Sequence, residues 1–162
     1  MSLTKGSLAM GLTIEETTTS FDSASVIKHD QISVNKTFTP GGTAPNKATK
    51  NASFEVALSG GAATIDLTNI TDPVNGVVTG NTLKVQAITV KNKATNGAAI
   101  TIAKGASNGY TGFGSAFSMS IPVGGTMGFD AVNAGATISS TVKTLDLAGS
   151  GTDVLQVQIL FG

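Results

Sequence analysis

Gly105-Ala106-Ser107-Asn108-Gly109 is the stretch of this chain that reads most like a nucleophile. In a Gly-x-Ser-x-Gly turn, a strained strand-to-helix junction lifts the serine over an oxyanion hole. The residues that follow, Tyr110-Thr111-Gly112-Phe113-Gly114-Ser115, cannot open a stable helix, because glycine is a poor helix former. A hydrolase of that kind also needs its histidine after the serine, and His29 stands far before it. We read the stretch as a loop turn. Gly109, Gly112 and Gly114 resemble a phosphate cradle only in composition, with no Gly-Lys-Ser/Thr and no dinucleotide-binding βαβ pattern around them.

Metal and redox chemistry find as little support. His29 is the one histidine, and the pair His29-Asp30 has no identifiable nucleophile to serve. Asp66, Asp72, Asp130, Asp146 and Asp153 are scattered, without the spacing of a calcium loop. Cysteine is absent, which removes disulfides, thiolate chemistry and cysteine metal sites together. The sequence therefore predicts no enzyme, no cofactor and no metal. Asn35-Lys36-Thr37, Asn51-Ala52-Ser53 and Asn69-Ile70-Thr71 match the glycosylation triplet, as expected by chance in a chain rich in Asn, Thr and Ser.

The more telling property is the scarcity of charge. Asp, Glu, Lys and Arg make up 12% of the 162 residues, about half the usual 25%. The ten basic residues are all lysine, ten acids balance them, and the net charge is +0. Hydration must come from Thr, Ser, Asn and peptide groups. Neutral surfaces of this kind associate readily, so we expect much of this one to meet other copies or a larger particle. With no basic cluster beyond Lys47/Lys50 and Lys91/Lys93, binding to nucleic acid, which rests on phosphate contacts, is not expected. No run approaches the roughly 20 apolar residues of a membrane helix, and the N-terminus lacks a signal-peptide core. Synthesis and folding in the producer's cytoplasm follow as an expectation, with no membrane partner.

The elements that must position any site are strands. Leu8, Met10, Leu12 and Ile14 alternate with small or polar residues, as do Ile32 and Val34, and later Phe54, Val56 and Leu58, and Ala63, Ile65 and Leu67. Such period-2 patterning, with glycine-rich turns between short runs, predicts an all-β fold: a β-sandwich or jelly-roll-like barrel of about 8–10 short antiparallel strands. Gly60-Gly61 predicts a hairpin over 52–69, Asn96-Gly97 one between 83–93 and 98–104, and Pro122-Val123-Gly124-Gly125 a third. The apolar positions of 83–90 change parity at Ala87-Ile88, which predicts a bulge or burial on both faces. Segments 40–51, 71–82 and 103–116 read as loops.

The core expected from these patterns is Leu12, Ile14, Phe54, Val56, Leu58, Ile65, Leu67, Val85, Ile100, Ile102, Phe117, Met119, Phe129, Leu145, Val157 and Ile159. Residues 1–40 read as an N-terminal strand or arm, either part of the same domain or reaching a neighbour, and 41–162 as the sandwich. Tyr110 and Phe113, two aromatics on a glycine-rich loop, either anchor a partner or cap one end of the sandwich. The closing strand Val154–Phe161 is so apolar that it lies centrally in a sheet or is sealed at an interface; Leu160 and Phe161 join Tyr110 and Phe113 as candidate partner-binding residues.

Asp66-Leu-Thr-Asn-Ile70, Leu83-Lys-Val-Gln-Ala-Ile-Thr-Val-Lys-Asn92, Ala98-Ala-Ile-Thr-Ile-Ala-Lys-Gly-Ala-Ser-Asn-Gly-Tyr110, Ile121-Pro-Val-Gly-Gly125 and Lys143-Thr-Leu-Asp-Leu-Ala-Gly-Ser-Gly-Thr-Asp153 resemble virion structural proteins of tailed bacteriophages. The resemblance spans roughly residues 62–162 and lies in the style of a β-sandwich sequence. It implies a small accessory protein such as a head decoration (cement) protein, which sits on the capsid lattice, often as a trimer, and stabilises the shell. The expected partners are then the major capsid protein or other virion proteins, and further copies of the chain. A glycan- or receptor-binding module of a tail fibre and a self-assembling shell or tube subunit are the alternatives.

Overall fold

The computed structural model describes residues 6–11, 14–20, 23–29, 33–41, 47–130 and 135–162. The described residues form strands and turns, without helix. The strands are β1 (Gly6–Gly11), β2 (Ile14–Ser20), β3 (Ser23–His29), β4 (Ser33–Pro40), β5 (Lys47–Ala48), β6 (Lys50–Ala57), β7 (Ala62–Asp66), β8 (Ile70–Asp72), β9 (Gly76–Val78), β10 (Val85–Asn92), β11 (Ile100–Lys104), β12 (Ser118–Ile121), β13 (Thr126–Asp130), β14 (Thr144–Ala148) and β15 (Val154–Phe161). Two antiparallel four-stranded sheets form the body, in the orders β13-β10-β15-β6 and β12-β11-β14-β7. Neither closes into a barrel; the architecture is that of a β-sandwich.

Alternation along each strand builds the core. On β15, Leu155, Val157, Ile159 and Phe161 are buried, and across the sandwich Ile100, Ile102, Ile121, Leu145, Leu147 and Ile65 meet them in one cluster. Of the expected core, Phe54, Leu58, Ile65, Leu67, Val85, Ile100, Ile102, Leu145, Val157 and Ile159 are buried, and Val56, Phe117, Met119 and Phe129 are half-buried against them. Leu12 falls outside the described residues, as does the side chain of Ile14. Ile138 and Tyr110, both fully buried, join the core from loops where no alternation marks them.

The three expected hairpins are a correction. β6 pairs with β15 while β7 pairs with β14; β10 pairs with β13 and β15 while β11 pairs with β12 and β14; β13 joins β10 and not β12. Each turn therefore carries the chain from one sheet across to the other. An arch of this kind and a hairpin demand the same inward parity on both flanks, so periodicity does not separate them. Turn chemistry separates them only in part. A two-residue type I′ turn needs positive φ at both central residues, which neither Asn96 nor Gly97 has, whereas Gly60 and Gly61 both have it and close an antiparallel Ser59–Ala62 bridge before their strands part to different sheets.

Polar groups pin the arch at Asn96-Gly97. Asn92, fully buried at the end of β10, donates through Nδ2 to the carbonyls of Ala98 and Ile121, both at 2.9 Å. Its Oδ1 accepts from Asn96 Nδ2 at 2.5 Å, and Asn96 exchanges two further bonds with the backbone of Val154. Asp153 accepts from the backbone N–H groups of Gly97 and Ala98.

β15 is central, between β10 and β6. On β10 the register against β15 shifts between Val85 and Ala87, and the strand is buried on both faces over Val85–Ile88. The bulge thus falls one or two residues earlier than expected. Ala87 and Leu160 lie on the outer side of this sheet, where Leu8 of β1, Phe38 of β4 and Ala48 of β5 pack over them in a second small cluster. The loop expected at 71–82 holds the hairpin β8–β9, and that at 40–51 holds β5 and the start of β6.

Candidate interaction surface

The glycine-rich loop 103–116 folds inward. Tyr110 is fully buried, and its hydroxyl accepts the backbone N–H of Val85 at 3.1 Å. Burial pushes the phenol above the ordinary tyrosine range, against the opposing pull of that bond. Phe113 stands edge-on to Tyr110 with ring centroids 5.3 Å apart, and packs on Phe117 and Phe129 at 5.0 Å each. A Cβ at Gly112 would come within 2.3 Å of the Tyr110 ring, so this glycine is what admits the aromatic. Tyr110 and Phe113 therefore cap the sandwich.

Ser107, centre of the nucleophile-like pattern, is exposed in a turn that opens no helix, and its carbonyl accepts the hydroxyl of Thr144. Phe161 is fully buried inside the core and Leu160 half-buried beneath β1 and β4. The sequence signal for Phe161 as core was its shared parity with Val157 and Ile159. His29 lies on β3, paired in register with Ile14.

What faces outward is different in kind. The outer face of the β13-β10-β15-β6 sheet holds a groove of about 510 Å³, whose polar lining includes Ser53, Glu55, Thr89, Lys91, Gln156 and Gln158, with Pro73 at one rim. It adjoins a second hollow of about 200 Å³ where β1 and β4 meet the same sheet; Ser53, Thr89 and Gln158 line both. Glu55 accepts from Lys93 at 2.7 Å and from Gln156 at 2.9 Å, which together hold its carboxyl below the ordinary range. Glu55 is thus met by a lysine outside the lining, Lys91 is the groove's other charged residue, and hydroxyl and amide groups make up most of the remaining polar lining.

The rim is built by β8–β9. Asp72 is buried; desolvation pushes its carboxyl up, and the backbone N–H groups of Ser53, Asn75 and Val74, at 2.6, 2.7 and 2.7 Å, more than offset this and hold it below the ordinary range. Because Ser53 belongs to β6, Asp72 ties the hairpin to that strand's outer edge. On the same hairpin Val74, next to Pro73, and Val77 stand exposed, at 69% and 68%. The opposite sheet presents Thr64, Thr101, Ala103, Ser118, Ser120 and Asp146 outward, a face of short side chains.

Among the described residues, no three His, Cys, Asp or Glu side chains cluster as a metal site, and no helix is long and apolar enough to cross a membrane. No family model matches the chain, and neither the curated proteins nor the solved structures include a match.

Proposed function

We propose that this chain is a non-enzymatic structural protein of a tailed-bacteriophage particle, a capsid decoration protein that stabilises the shell through multivalent protein–protein contacts. It works as an oligomer, a trimer in the favoured form, made in the host cytoplasm and carried in the virion on the major capsid protein. The observation that carries the reading is the outer surface of the sandwich: a recessed sheet face rich in hydroxyls and amides, its lining charges Glu55 and Lys91 of opposite sign, with two exposed valines on the β8–β9 hairpin that supplies Pro73 to its rim. Many weak contacts of fixed geometry add avidity on a lattice, and a face poor in net charge makes such contacts insensitive to salt.

Sedimentation with undecorated shells of the same virus tests this. Co-sedimentation that survives high salt is expected. A chain left in the supernatant, or stripped by moderate salt, overturns it. The hydroxyl and amide lining of the groove favours a second reading, a glycan- or receptor-binding module of a tail fibre. A glycan hit abolished by Thr89→Ala with Gln158→Ala would place that reading first. Regular polymers of the purified protein in negative stain would favour a self-assembling shell or tube subunit.

A further inference from the structure

The hairpin β2–β3 forms a two-stranded sheet of its own. Its register places Glu15 opposite Lys28, Thr17 opposite Val26 and Thr18 opposite Ser25. With seven residues per strand it reaches roughly 23 Å. A two-stranded hairpin is marginal in water by itself and needs a third strand or a packing layer. Among the described residues, no other strand packs extensively on this one.

The same chain has a surface with the converse need. β1 and β4, which lead into and out of β2–β3, already pack on the outer face of the β13-β10-β15-β6 sheet through Leu8 and Phe38. They cover the part of that face around Ala87 and Leu160 and leave the adjoining groove open. Hydroxyl residues are frequent in the sequence of the hairpin strands (Thr17, Thr18, Thr19, Ser20, Ser23 and Ser25), and Ser53, Thr89 and Thr126 line the groove.

We propose that β2–β3 of one copy docks into the groove of a second copy, continuing there the packing of hairpin on sheet that β1 and β4 begin in their own chain. The contact is heterologous, one hairpin and one groove per chain, and closes into a ring or runs on as a filament according to its rotation. The inference rests on the reading of this chain as an assembling structural protein.

Light scattering of three chains tests it. In an armless chain, residues 12–32 are replaced by Asn-Gly; Gly11 and Ser33 stand opposite each other in the β1–β4 ladder, so a two-residue turn can join them. In a groove-blocked chain, Gln158→Arg puts a long charged side chain into the groove. The full chain is expected to oligomerise. Each variant should self-associate about a hundredfold more weakly, with circular dichroism unchanged for Gln158→Arg and the thermal midpoint of the sandwich unchanged for the armless chain, which lacks only the two strands of the hairpin. Mixed together, they should form a one-to-one complex, since one supplies a groove and the other a hairpin. An armless chain that still assembles like the full one overturns the docking and leaves the assembly reading standing. So does a mixture that fails to pair. A full chain that stays monomeric overturns the docking too, and sedimentation with shells then decides the capsid reading separately.

Discussion

The hydroxyl of Tyr110 and the backbone N–H of Val85 are joined at 3.1 Å inside the sandwich, 25 residues apart in sequence. Val85 stands at the bulge of β10, where the ladder to β15 shifts, so the phenol supplies an acceptor that the sheet itself does not. Tyr110→Phe keeps the ring and deletes the acceptor. A buried donor left without a partner costs about 1–3 kcal/mol, and the urea midpoint should fall accordingly. A midpoint equal to that of the native chain would mean the bond contributes nothing.

Asn92→Leu should be more damaging than its similar size suggests. The substitution removes the donor to two carbonyls, Ala98 just past the arch and Ile121 at the end of β12, and the acceptor for Asn96. We expect a loss of about 2–4 kcal/mol, from several unsatisfied groups at about 1–3 kcal/mol each. Equilibrium unfolding measures it, and Asn96→Ala should give a smaller loss that is not additive with the first.

Acid should weaken the protein through Asp72 and Asp66. The native carboxyl of Asp72 is held below its ordinary value of 3.8 despite burial, by three backbone N–H groups. At Asp66 desolvation is likewise outweighed, there by Lys143 and Thr68. A depressed native pKa contributes stability above the unfolded value and loses it as pH falls through the native one. Stability should therefore be level near neutrality and decline below about pH 4. Asp72→Asn should lower the neutral plateau and flatten that decline; an unchanged acid slope would refute the role given to Asp72.

Phe38→Ala tests how the N-terminal strands are fastened. Phe38 is fully buried, yet against Leu8, Ala48, Ala87 and Leu160 outside the main core. Burying an aromatic is worth about 3–5 kcal/mol in a truncation to alanine. Loss of this contact should release β1 and β4 while the two four-stranded sheets keep their transition. Limited proteolysis should then cut within residues 6–40 much faster, with the main thermal midpoint little changed. A single cooperative loss of the whole fold would show instead that the strands are integral to the sandwich.

Much of this fold is local and therefore legible. Period-2 alternation states which residues of β6, β11, β14 and β15 face inward, because successive side chains of a strand must point to opposite sides. The absence of a helical stripe, the apolar closing strand and the disturbed parity of β10 likewise read directly from residue order. Partnership of strands is not local. Gly60-Gly61, Asn96-Gly97 and Pro122–Gly125 look like hairpin turns, and only the packing of two sheets over one core decides that each crosses between them.

The outer groove was equally hidden. Ser53, Thr89, Lys91 and Gln156 are unremarkable polar residues at outward positions of three different strands, and only the order β13-β10-β15-β6 sets them side by side. Tyr110 shows the limit from the other side: on composition, an aromatic in a glycine-rich loop suits an exposed anchor or a buried cap equally well. The choice falls to geometry, through the space Gly112 leaves for its ring and the N–H that Val85 has to satisfy. Residue order sets which side of each strand is apolar; long-range contact, which no short window of sequence contains, sets what that side meets.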